Sequence, residues 1–437
     1  MNQAPHADAM LTRLRAIEAD IRAGRFDAAV AAINAGIAAT PRDPRLYLTA
    51  AMLANALGKP GREIEALEHA VGAAPAWAPA YIELAKALSR QGRHVQALEI
   101  VARAVELAPR DLVILEAAVG VANAAGDLSA AERNLRAAAE LRPRDRTIVR
   151  ALAICLDKQH RYAQAEPLWR ELVVDAPNDV DALANLGNCL HALGRKDEAC
   201  AALERAVAMA PHYPALAFHL AIARGETPAT QPLGLVEELF DEYAGRFDTH
   251  LVGRLKYRVP KRVAAMIREH HPALDISVLD LGCGTGLLGA CLGPIGGAFV
   301  GVDLSEKMLH QAIPHNVYSK LRKNELHAEL GETRDGSFDY VVANDVLIYL
   351  GDLGRMIPES FRVLRDGGAL IFTCETAENG ESFVLQPSRR YAHAPSYAER
   401  LCRDAGFVDI ALEHLELRLD RDGVVQGFIV IAHKPNR

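Results

Sequence analysis

A proline recurs every 34 residues through the first half of this 437-residue chain. The members of the series are Pro41, Pro75, Pro109, Pro143, Pro177 and Pro211. Two further series keep the same step and stay in phase with the prolines. They are Gly24, Gly58, Gly92, Gly126, His160 and Gly194, and then Ala29, Glu63, Ala97, Ala131, Ala165 and Ala199. Three series in phase predict six copies of one structural unit, stacked in a row.

Each copy predicts two short amphipathic helices. In one copy, Leu84 and Leu88 share a face of the first helix, while Ala97 and Val101 share a face of the second. The proline that closes each copy ends its second helix, because proline cannot donate the helical hydrogen bond. The alanines are small enough to let the paired helices approach closely.

A 34-residue pair of helices with small residues at these offsets resembles the tetratricopeptide repeat (TPR). The resemblance covers about residues 8–211, and residues 212–224 are expected to form a closing helix. It implies an α-solenoid of six repeats over 8–224, with a groove that binds a protein or peptide partner. The predicted groove positions are Met52, Lys86, Gly120, Ile154 and Asn188. The alternative is an array that only spaces or dimerises the rest of the chain.

Charge separates the two halves of the chain. The net charge is −7, and residues 1–225 carry as many basic as acidic residues, so the whole excess of acid lies in the second half. An acidic second half argues against nucleic acid as a partner.

The cysteines and the apolar segments indicate a cytoplasmic protein. Seven scattered cysteines form no C-x-x-C pair, so neither a disulfide framework nor a metal site is predicted. The uncharged run 281–302 is rich in glycine, which predicts turns and buried strand rather than a membrane helix. The first twenty residues lack the apolar stretch of a signal peptide.

A second domain is expected after a linker at residues 225–234, which is rich in Pro, Gly and Thr. Helical stretches then alternate with predicted strands, and this alternation indicates a doubly wound parallel sheet with its ligand site at the carboxyl ends of the strands. The predicted strands are 277–282, 298–303, 325–328, 338–344 and 369–375. Two more strands, near 411–418 and 427–433, have too short a connection for a crossover and are expected to pair antiparallel.

The glycine-rich segment 278–290, VLDLGCGTGLLGA, is the strongest chemical signal. Its glycines allow the backbone to pass close to a ligand, and the following helix offers free N–H groups. One alignment of the segment gives G-x-G-x-x-G, the dinucleotide fingerprint. The other gives D-x-G-x-G-x-G, which resembles the first motif of class I S-adenosylmethionine-dependent methyltransferases.

Three features favour the methyltransferase. Asp280 precedes the loop, where a carboxylate suits an ammonium group and would repel a pyrophosphate. The loop lies about 45 residues into its domain, behind a helical lead-in. The later segments and the final antiparallel pair also follow the methyltransferase order. The resemblance covers 235–437, with a lead-in or lid at 235–270, and implies a Rossmann-like fold whose last strand is antiparallel.

The resemblance assigns the S-adenosylmethionine site residue by residue. Asp280, Gly282, Gly284 and Gly286 would surround the methionine end, and Asp303 would bind the ribose. Leu304, Met308 and Glu329 would surround the adenine. Asn344 and Asp345 would lie beside the acceptor. The lid residues would be Tyr243, Phe247 and Tyr257. The alternative for these aromatic residues is a structural role in a packed helix.

The methyl acceptor is predicted to be a protein or peptide recruited by the repeats. His393 and Tyr391 are the candidate catalytic residues, because they follow the fifth strand on the expected acceptor side, and Glu375 at the end of that strand is a further candidate base. The first alternative is a small-molecule acceptor, with the repeats used for assembly. The second is a scaffold that senses the cofactor without turnover.

Overall fold

The computed structural model describes residues 9–244, 257–378, 380, 382–420 and 423–436. The chain divides into two compact units, Met1–Met209 and Ala210–Arg437. The helices of the first unit are α1 (Ala9–Arg22), α2 (Phe26–Ala39), α3 (Pro44–Ala56), α4 (Pro60–Ala73), α5 (Ala78–Arg90), α6 (His94–Leu107), α7 (Leu112–Ala125), α8 (Leu128–Leu141), α9 (Arg146–Lys158), α10 (Tyr162–Asp175), α11 (Val180–Ala192) and α12 (Lys196–Met209). These form the six predicted helix pairs.

The glycine series marks the turn inside each pair. Five of its glycines have φ between 64° and 74°, in the left-handed region where a residue with a Cβ is strained. His160 occupies the same place in the fifth pair with φ of 58°. The repeat therefore keeps one backbone geometry even where the glycine is replaced.

The alanine series lies at the tightest part of each helix pair. Its five alanines are fully buried. Glu63 takes the same position in the second pair and is also buried, and its carboxylate forms a 2.5 Å ion pair with Arg90. A buried carboxylate requires such a partner, because an isolated charge in the interior is costly.

The second unit consists of helices around one mixed sheet. Its helices are α13 (Pro214–Arg224), α14 (Leu233–Tyr243), α15 (Val259–His270), α16 (Leu287–Leu292), α17 (Glu306–Ala312), α18 (Leu326–Glu332), α19 (Met356–Val363) and α20 (Pro395–Ala405). Its strands are β1 (Val278–Leu281), β2 (Phe299–Asp303), β3 (Lys320–Lys323), β4 (Phe338–Ala343), β5 (Leu364–Thr376), β6 (Phe383–Leu385), β7 (Tyr391–His393), β8 (Val408–Asp420) and β9 (Gly423–His433).

The strand order is β3-β2-β1-β4-β5-β7-β6, with β9 also pairing antiparallel with β5 and β8 with β9. The order reverses between β1 and β4, which are parallel neighbours. Side chains of β5 alternate between two buried clusters: Leu370 and Phe372 belong to one and Ile371 to the other. The sheet is thus covered on both faces, and its ligand-binding edge is the carboxyl edge at the switch between β1 and β4.

The predicted third strand was wrong. Residues 326–328 begin helix α18, Glu325 is its N-cap, and the strand is β3, five residues earlier. The carboxylate of Glu325 caps this helix by accepting a hydrogen bond of 2.8 Å from the N–H of Ala328. The segment LHAELGE consists mostly of good helix formers, whereas β3 is a partly exposed edge strand rich in lysine and arginine.

The segment predicted as a linker is hydrogen-bonded within the second unit. Thr230 forms an antiparallel bridge with Leu350, and the N–H of Gly351 donates to the carbonyl of Ala229 at 2.8 Å. The hydroxyl of Tyr391 donates to the carbonyl of Pro228 at 2.7 Å. Residues 228–231 therefore form an ordered strap along the end of the sheet.

None of the helices in the described part of the chain combines the length and the apolar character that crossing a membrane requires.

Candidate active site

The glycine loop forms the turn between β1 and α16. Gly282, Gly284 and Gly286 have φ of 68°, 55° and 83°, so all three adopt left-handed backbone. A Cβ on Gly282 would approach Cγ2 of Val346 to 2.6 Å. Backbone conformation and space both require glycine here, and the loop presents bare backbone at the carboxyl edge of the sheet.

Asp280 holds a buried carboxyl group at the end of β1. It is 2% exposed, and its Oδ2 accepts a 2.7 Å hydrogen bond from the hydroxyl of Tyr318. Burial raises the pKa of Asp280 to about 7, the Tyr318 hydroxyl opposes the rise, and the charge of Asp303 adds to it. A carboxylate in this position is stabilised by a cation.

Asp303 ties the end of β2 to the glycine loop. Its Oδ2 accepts from the N–H of Gly284 at 2.9 Å, and its Oδ1 accepts from the N–H of Ser305 at 2.8 Å. Burial raises the pKa of Asp303, while these backbone bonds oppose the rise. Each oxygen has a further lone pair, so the carboxylate retains the capacity to accept bonds from two hydroxyl groups.

Helix α14 of the lead-in lies against this edge. Asp241 accepts a 2.6 Å bond from the hydroxyl of Ser305, directly after β2. Glu237 pairs with Lys323 at the end of β3, at 2.7 Å. The ring of Phe240 contacts Tyr349, with centroids 5.4 Å apart. The helix thus spans the carboxyl ends of several strands, where the lid was predicted.

The predicted adenine residues are only partly brought to this edge. Leu304 is half-buried directly after Asp303, whereas Met308 is fully buried in α17. Glu329 is buried, and its carboxylate is bound by Arg322 and by the side-chain amide of Asn324. We therefore correct its role: Glu329 is held by protein partners, because the third strand ends earlier than predicted.

Glu325, which the sequence analysis placed in a strand, caps α18 through its carboxylate. It follows β3 by two positions and so lies at the carboxyl edge where an adenine-binding acid was expected. The signal was present as a Lys/Arg-rich edge strand followed by Asn and Glu.

Asn344 directly follows β4, on the same edge. Both atoms of its side-chain amide, Oδ1 and Nδ2, are buried without a hydrogen-bond partner among the described residues. Unpaired buried amide atoms are costly, so they indicate a place where a polar ligand completes the site.

The predicted lid aromatics differ in how far they can be located. Tyr257 is buried, and its surroundings raise its pKa, first through burial and then through the charge of Asp345. Tyr243 is the last residue of α14. Phe247 lies outside the described residues.

The geometry argues against His393 as a general base. The side chain is fully buried, and its Nε2 contacts the carbonyl oxygens of Leu350 and Gly351 at 2.9 and 3.0 Å. Burial lowers the pKa of His393 to about 4. A sequestered imidazole that donates to two carbonyls holds β7 against the turn after β4, and we correct its predicted role to a structural one.

The geometry also argues against Tyr391 as a catalytic residue. Its side chain is fully buried, burial raises its pKa to about 12, and its hydroxyl is used by the carbonyl of Pro228. Tyr391 anchors the strap, so we assign it a structural role as well.

The sequence analysis placed Asp345 beside the acceptor and counted Glu375 among the candidate bases, but it did not predict that a buried arginine joins them. Arg418 of β8 contacts the carboxylates of Asp345 and Glu375, which lie after β4 and near the end of β5. β8 carries charged residues throughout, so its sequence did not distinguish Arg418 as the buried one. The described residues contain no group of three or more potential metal ligands.

These residues fit S-adenosylmethionine. The buried carboxyl of Asp280 suits its ammonium group, and Asp303 suits the ribose hydroxyls. The glycine loop lets a ligand approach the backbone closely, and the amide of Asn344 has no partner among the described residues. When bound, this cofactor supplies a methyl group on a positively charged sulfur, which an acceptor atom attacks in line.

Comparison with known proteins agrees with both parts of the chain. Residues 279–372 match the family model described as a methyltransferase domain. Residues 14–78 and 156–214, and separately residues 78–111, match models of the tetratricopeptide repeat. The chain therefore combines TPR repeats with a Rossmann-like domain of the class I S-adenosylmethionine-dependent methyltransferases.

Among curated proteins, the chain is similar to ubiquinone biosynthesis O-methyltransferases. It is 30% identical to that of Aromatoleum aromaticum over 146 residues, which are 30% of this chain and 62% of that protein. It is 31% identical to the mitochondrial enzyme of Mus musculus over 32% of this chain and 40% of that one. The chain thus spans less than two thirds of either relative.

Solved structures resemble each part separately. Magnesium protoporphyrin IX methyltransferase from Synechocystis is 21% identical and covers 46% of this chain, with 99% of its own length and a TM-score of 0.37. YrrB, described as a TPR protein with an unusual peptide-binding site, is 18% identical and covers 43% of this chain, with 96% of its own length and the same TM-score.

Proposed function

We propose that this chain is a cytoplasmic methyltransferase that uses S-adenosylmethionine and methylates an acceptor recruited by its TPR repeats, a protein or peptide. The observation that carries the proposal is the set of Asp280, Asp303 and the left-handed glycine loop at one edge of the sheet. The names of the curated relatives support oxygen as the methylated atom. Seven free cysteines fit a reducing compartment.

The exposed apolar residues of the array support recruitment. Met52 in α3 and Ile154 in α9 are both exposed, at 49% and 38%, and they lie on the first helix of their repeats. A Cβ at Gly120, another predicted groove position, would meet nothing within 4 Å. Apolar side chains exposed at matching positions of different repeats favour a docking surface.

Cofactor binding is tested by calorimetry with S-adenosylmethionine and S-adenosylhomocysteine. Asp303→Ala should lower the affinity for both ligands by about tenfold to a hundredfold, since charge-assisted hydrogen bonds are worth about 1.5–3 kcal/mol. Asp335→Ala is the matched control, because that aspartate has a side chain 74% exposed and pairs only with Arg362 at the surface. If neither ligand binds, the methyltransferase assignment is wrong.

Recruitment is tested in the full chain. Cell lysate and radiolabelled S-adenosylmethionine are incubated with the wild type or with the double variant Met52→Glu/Ile154→Glu. Label incorporation should fall in the double variant, while cofactor affinity stays the same. Val95→Glu serves as the control, because Val95 is 72% exposed but lies on the second helix of its repeat. Equal labelling by all three proteins would contradict recruitment through this surface.

A further inference from the structure

A bulge in β8 places an arginine in the interior. The register between β8 and β9 shifts between Glu416 and Arg418, and two successive residues, Leu417 and Arg418, are both buried. A regular strand would direct neighbouring side chains to opposite faces. Bulges re-aim side chains and are frequent beside active sites.

Arg418 is held between two carboxylates. One nitrogen of its guanidinium group donates to Oδ1 of Asp345 and the other to Oε1 of Glu375. The side chains of Arg418 and Glu375 are each 2% exposed. Burying three charges is expensive, and it often stabilises a protein less than apolar packing would. A function at the edge of the sheet would explain why this cluster is present.

Asp345 has a strained backbone. Its φ is 55°, in the left-handed region, and its N–H donates to the hydroxyl of Thr373 at 2.8 Å. Non-glycine residues held in this region concentrate at functional sites. Its side chain is the accessible member of the cluster, 15% exposed, and the contact with Arg418 uses Oδ1. Within the part of the chain that the structure describes, no group bonds Oδ2, which can therefore accept a bond from a ligand.

The surroundings place Asp345 next to the cofactor cradle, the site formed by Asp280, Asp303 and the glycine loop. It directly follows Asn344, whose amide atoms are buried and have no partner in the described ranges of the chain. Tyr257, in turn, is close enough to Asp345, Arg418 and Asp280 to respond to all three charges. The cluster and the cradle therefore share the carboxyl end of the sheet, and both lie near Tyr257.

We propose that Asp345 binds a hydroxyl group of the methyl acceptor and takes its proton, and that Arg418 is the positioning residue that holds Asp345 in place. This inference rests on the proposed function and names the acceptor chemistry of the same site. The substrate class is a compound or side chain with a hydroxyl group, phenolic or aliphatic.

The charges of the cluster favour a hydroxyl over an anion or a cation. Arg418 and Arg390 face Asp345 and Glu375, with Arg390 3.9 Å from Glu375, so the four charges sum to zero. A carboxylate acceptor would place a second anion beside Asp345 and would have no proton for Asp345 to take. An ammonium acceptor would be stabilised by the negative Asp345 and so kept protonated. Its nitrogen then has no lone pair with which to attack the methyl group. A neutral hydroxyl avoids both costs.

The step balances with the groups at hand. The acceptor O–H bond breaks and its proton passes to Oδ2 of Asp345. As the acceptor oxygen forms its bond to the methyl group, the carbon–sulfur bond of the cofactor breaks and its electron pair stays on sulfur. The positive charge of the sulfonium is thereby discharged, and the protonated Asp345 later loses its proton to solvent.

The probe is 4-nitrocatechol, whose absorption spectrum distinguishes the neutral phenol from its anion. It is titrated with pH while bound to the full chain saturated with S-adenosylhomocysteine, so that no turnover is needed. In the wild type, the negative Asp345 should raise the apparent pKa of the bound probe. In Asp345→Asn, an amide replaces the carboxylate and should lower that pKa by about one to three units.

Glu375→Gln is the matched control. It also removes one negative charge that pairs with Arg418, but it leaves the accessible carboxylate of Asp345 in place. It should shift the pKa of the bound probe clearly less than Asp345→Asn does. Equal shifts in the two variants, no shift in Asp345→Asn, or a wild type that fails to bind the probe would each overturn the inference. Failure to bind S-adenosylhomocysteine would instead overturn the proposed function.

The role of Arg418 is tested by Arg418→Lys and Arg418→Met. The lysine variant keeps a cation and should retain most of the wild-type shift in the bound probe. The methionine variant should lose it, because Asp345 then titrates at higher pH and is protonated over more of the range. Circular dichroism checks that each variant is folded. Equal probe titrations in the lysine and methionine variants would contradict a positioning role.

Discussion

Asp280 keeps its carboxyl group in the interior at the end of β1, and its pKa of about 7 follows first from that burial. The only hydrogen bond that opposes the rise comes, among the described residues, from Tyr318. An empty cradle therefore contains a carboxyl group that is half-protonated near neutral pH. A cation that enters the cradle must compete with that proton.

Cofactor affinity should consequently fall in acid. The ammonium group of S-adenosylmethionine pairs with ionised Asp280, so affinity is full well above pH 7 and falls by up to tenfold for each pH unit below it. Calorimetry between pH 5.5 and 8.5 measures this, and binding near pH 7 should release protons. Asp280→Asn should bind more weakly and show no such dependence. A pH-independent affinity in the wild type would contradict the assignment.

Tyr318→Phe should move the same transition. Its hydroxyl stabilises the ionised form of Asp280, so removing it raises the pKa of Asp280 further. The loss of affinity should then begin at higher pH, while the affinity at pH 8.5 stays near that of the wild type. The same calorimetric series measures the midpoint, and an unchanged midpoint would mean that the hydrogen bond does not control the carboxyl.

Candidate site residues that belong to a local motif could be predicted from the sequence. Residues whose role depends on burial and on distant contacts could not. Asp280, Asp303 and the glycines follow from a local pattern whose backbone geometry only glycine tolerates. His393 and Tyr391 looked suitable by type and position, but their hydrogen bonds to backbone carbonyls arise from β7 and the strap. Arg418 meets Asp345 across 73 residues of sequence, and no local pattern reports such a distant contact.

At the scale of elements, two helical glycines of the array occupy opposite environments. A Cβ on Gly187 in α11 would lie 2.5 Å from Cγ of Leu203 in α12. A Cβ on Gly120 in α7 would meet nothing within 4 Å. Replacing glycine by alanine should therefore change the free energy of unfolding in opposite directions in these two helices, although both are the first helix of their repeats.

Gly187→Ala should lower the free energy of unfolding by about 1–3 kcal/mol, because Leu203 is fully buried and cannot move aside without cost. Gly120→Ala should raise it by about 0.5–1 kcal/mol, since alanine favours the helix and nothing obstructs it. Urea unfolding followed by circular dichroism measures both. If both substitutions stabilise, the close packing of α11 on α12 is not as described.

The same scale explains which elements the sequence predicted. Three series with the same 34-residue step each contribute one residue to every helix pair. The six pairs of the array were therefore predicted correctly. The third strand has four residues and lies exposed at the edge of the sheet, so it lacks the apolar run that marks β1 and β4. The apolar leucines of α18 led to the third strand being predicted at residues 325–328 instead of at β3. The strands β6 and β7 were missed because each has only three residues, too few to show an alternating pattern.

At the scale of the whole molecule, every residue assigned to the cofactor lies in the second unit, and so does α13. His219 of α13 lies 3.2 Å from Arg389, and burial lowers its pKa to about 3, with the charge of Arg389 adding to the effect. The strap that follows α13 is bonded to the turn after β4. The natural division for a shortened protein is therefore after Met209 rather than after the predicted closing helix.

Residues 210–437 should fold and bind S-adenosylmethionine with the affinity of the full chain, because the cradle, the strap and α13 are all retained. Residues 226–437 lose α13 and with it the contact between His219 and Arg389, so their melting temperature should be lower by several degrees. Differential scanning fluorimetry with and without the cofactor compares the two. Equal stability of both fragments would show that α13 contributes nothing to this unit, and loss of cofactor binding by residues 210–437 would show that the cradle depends on the repeats.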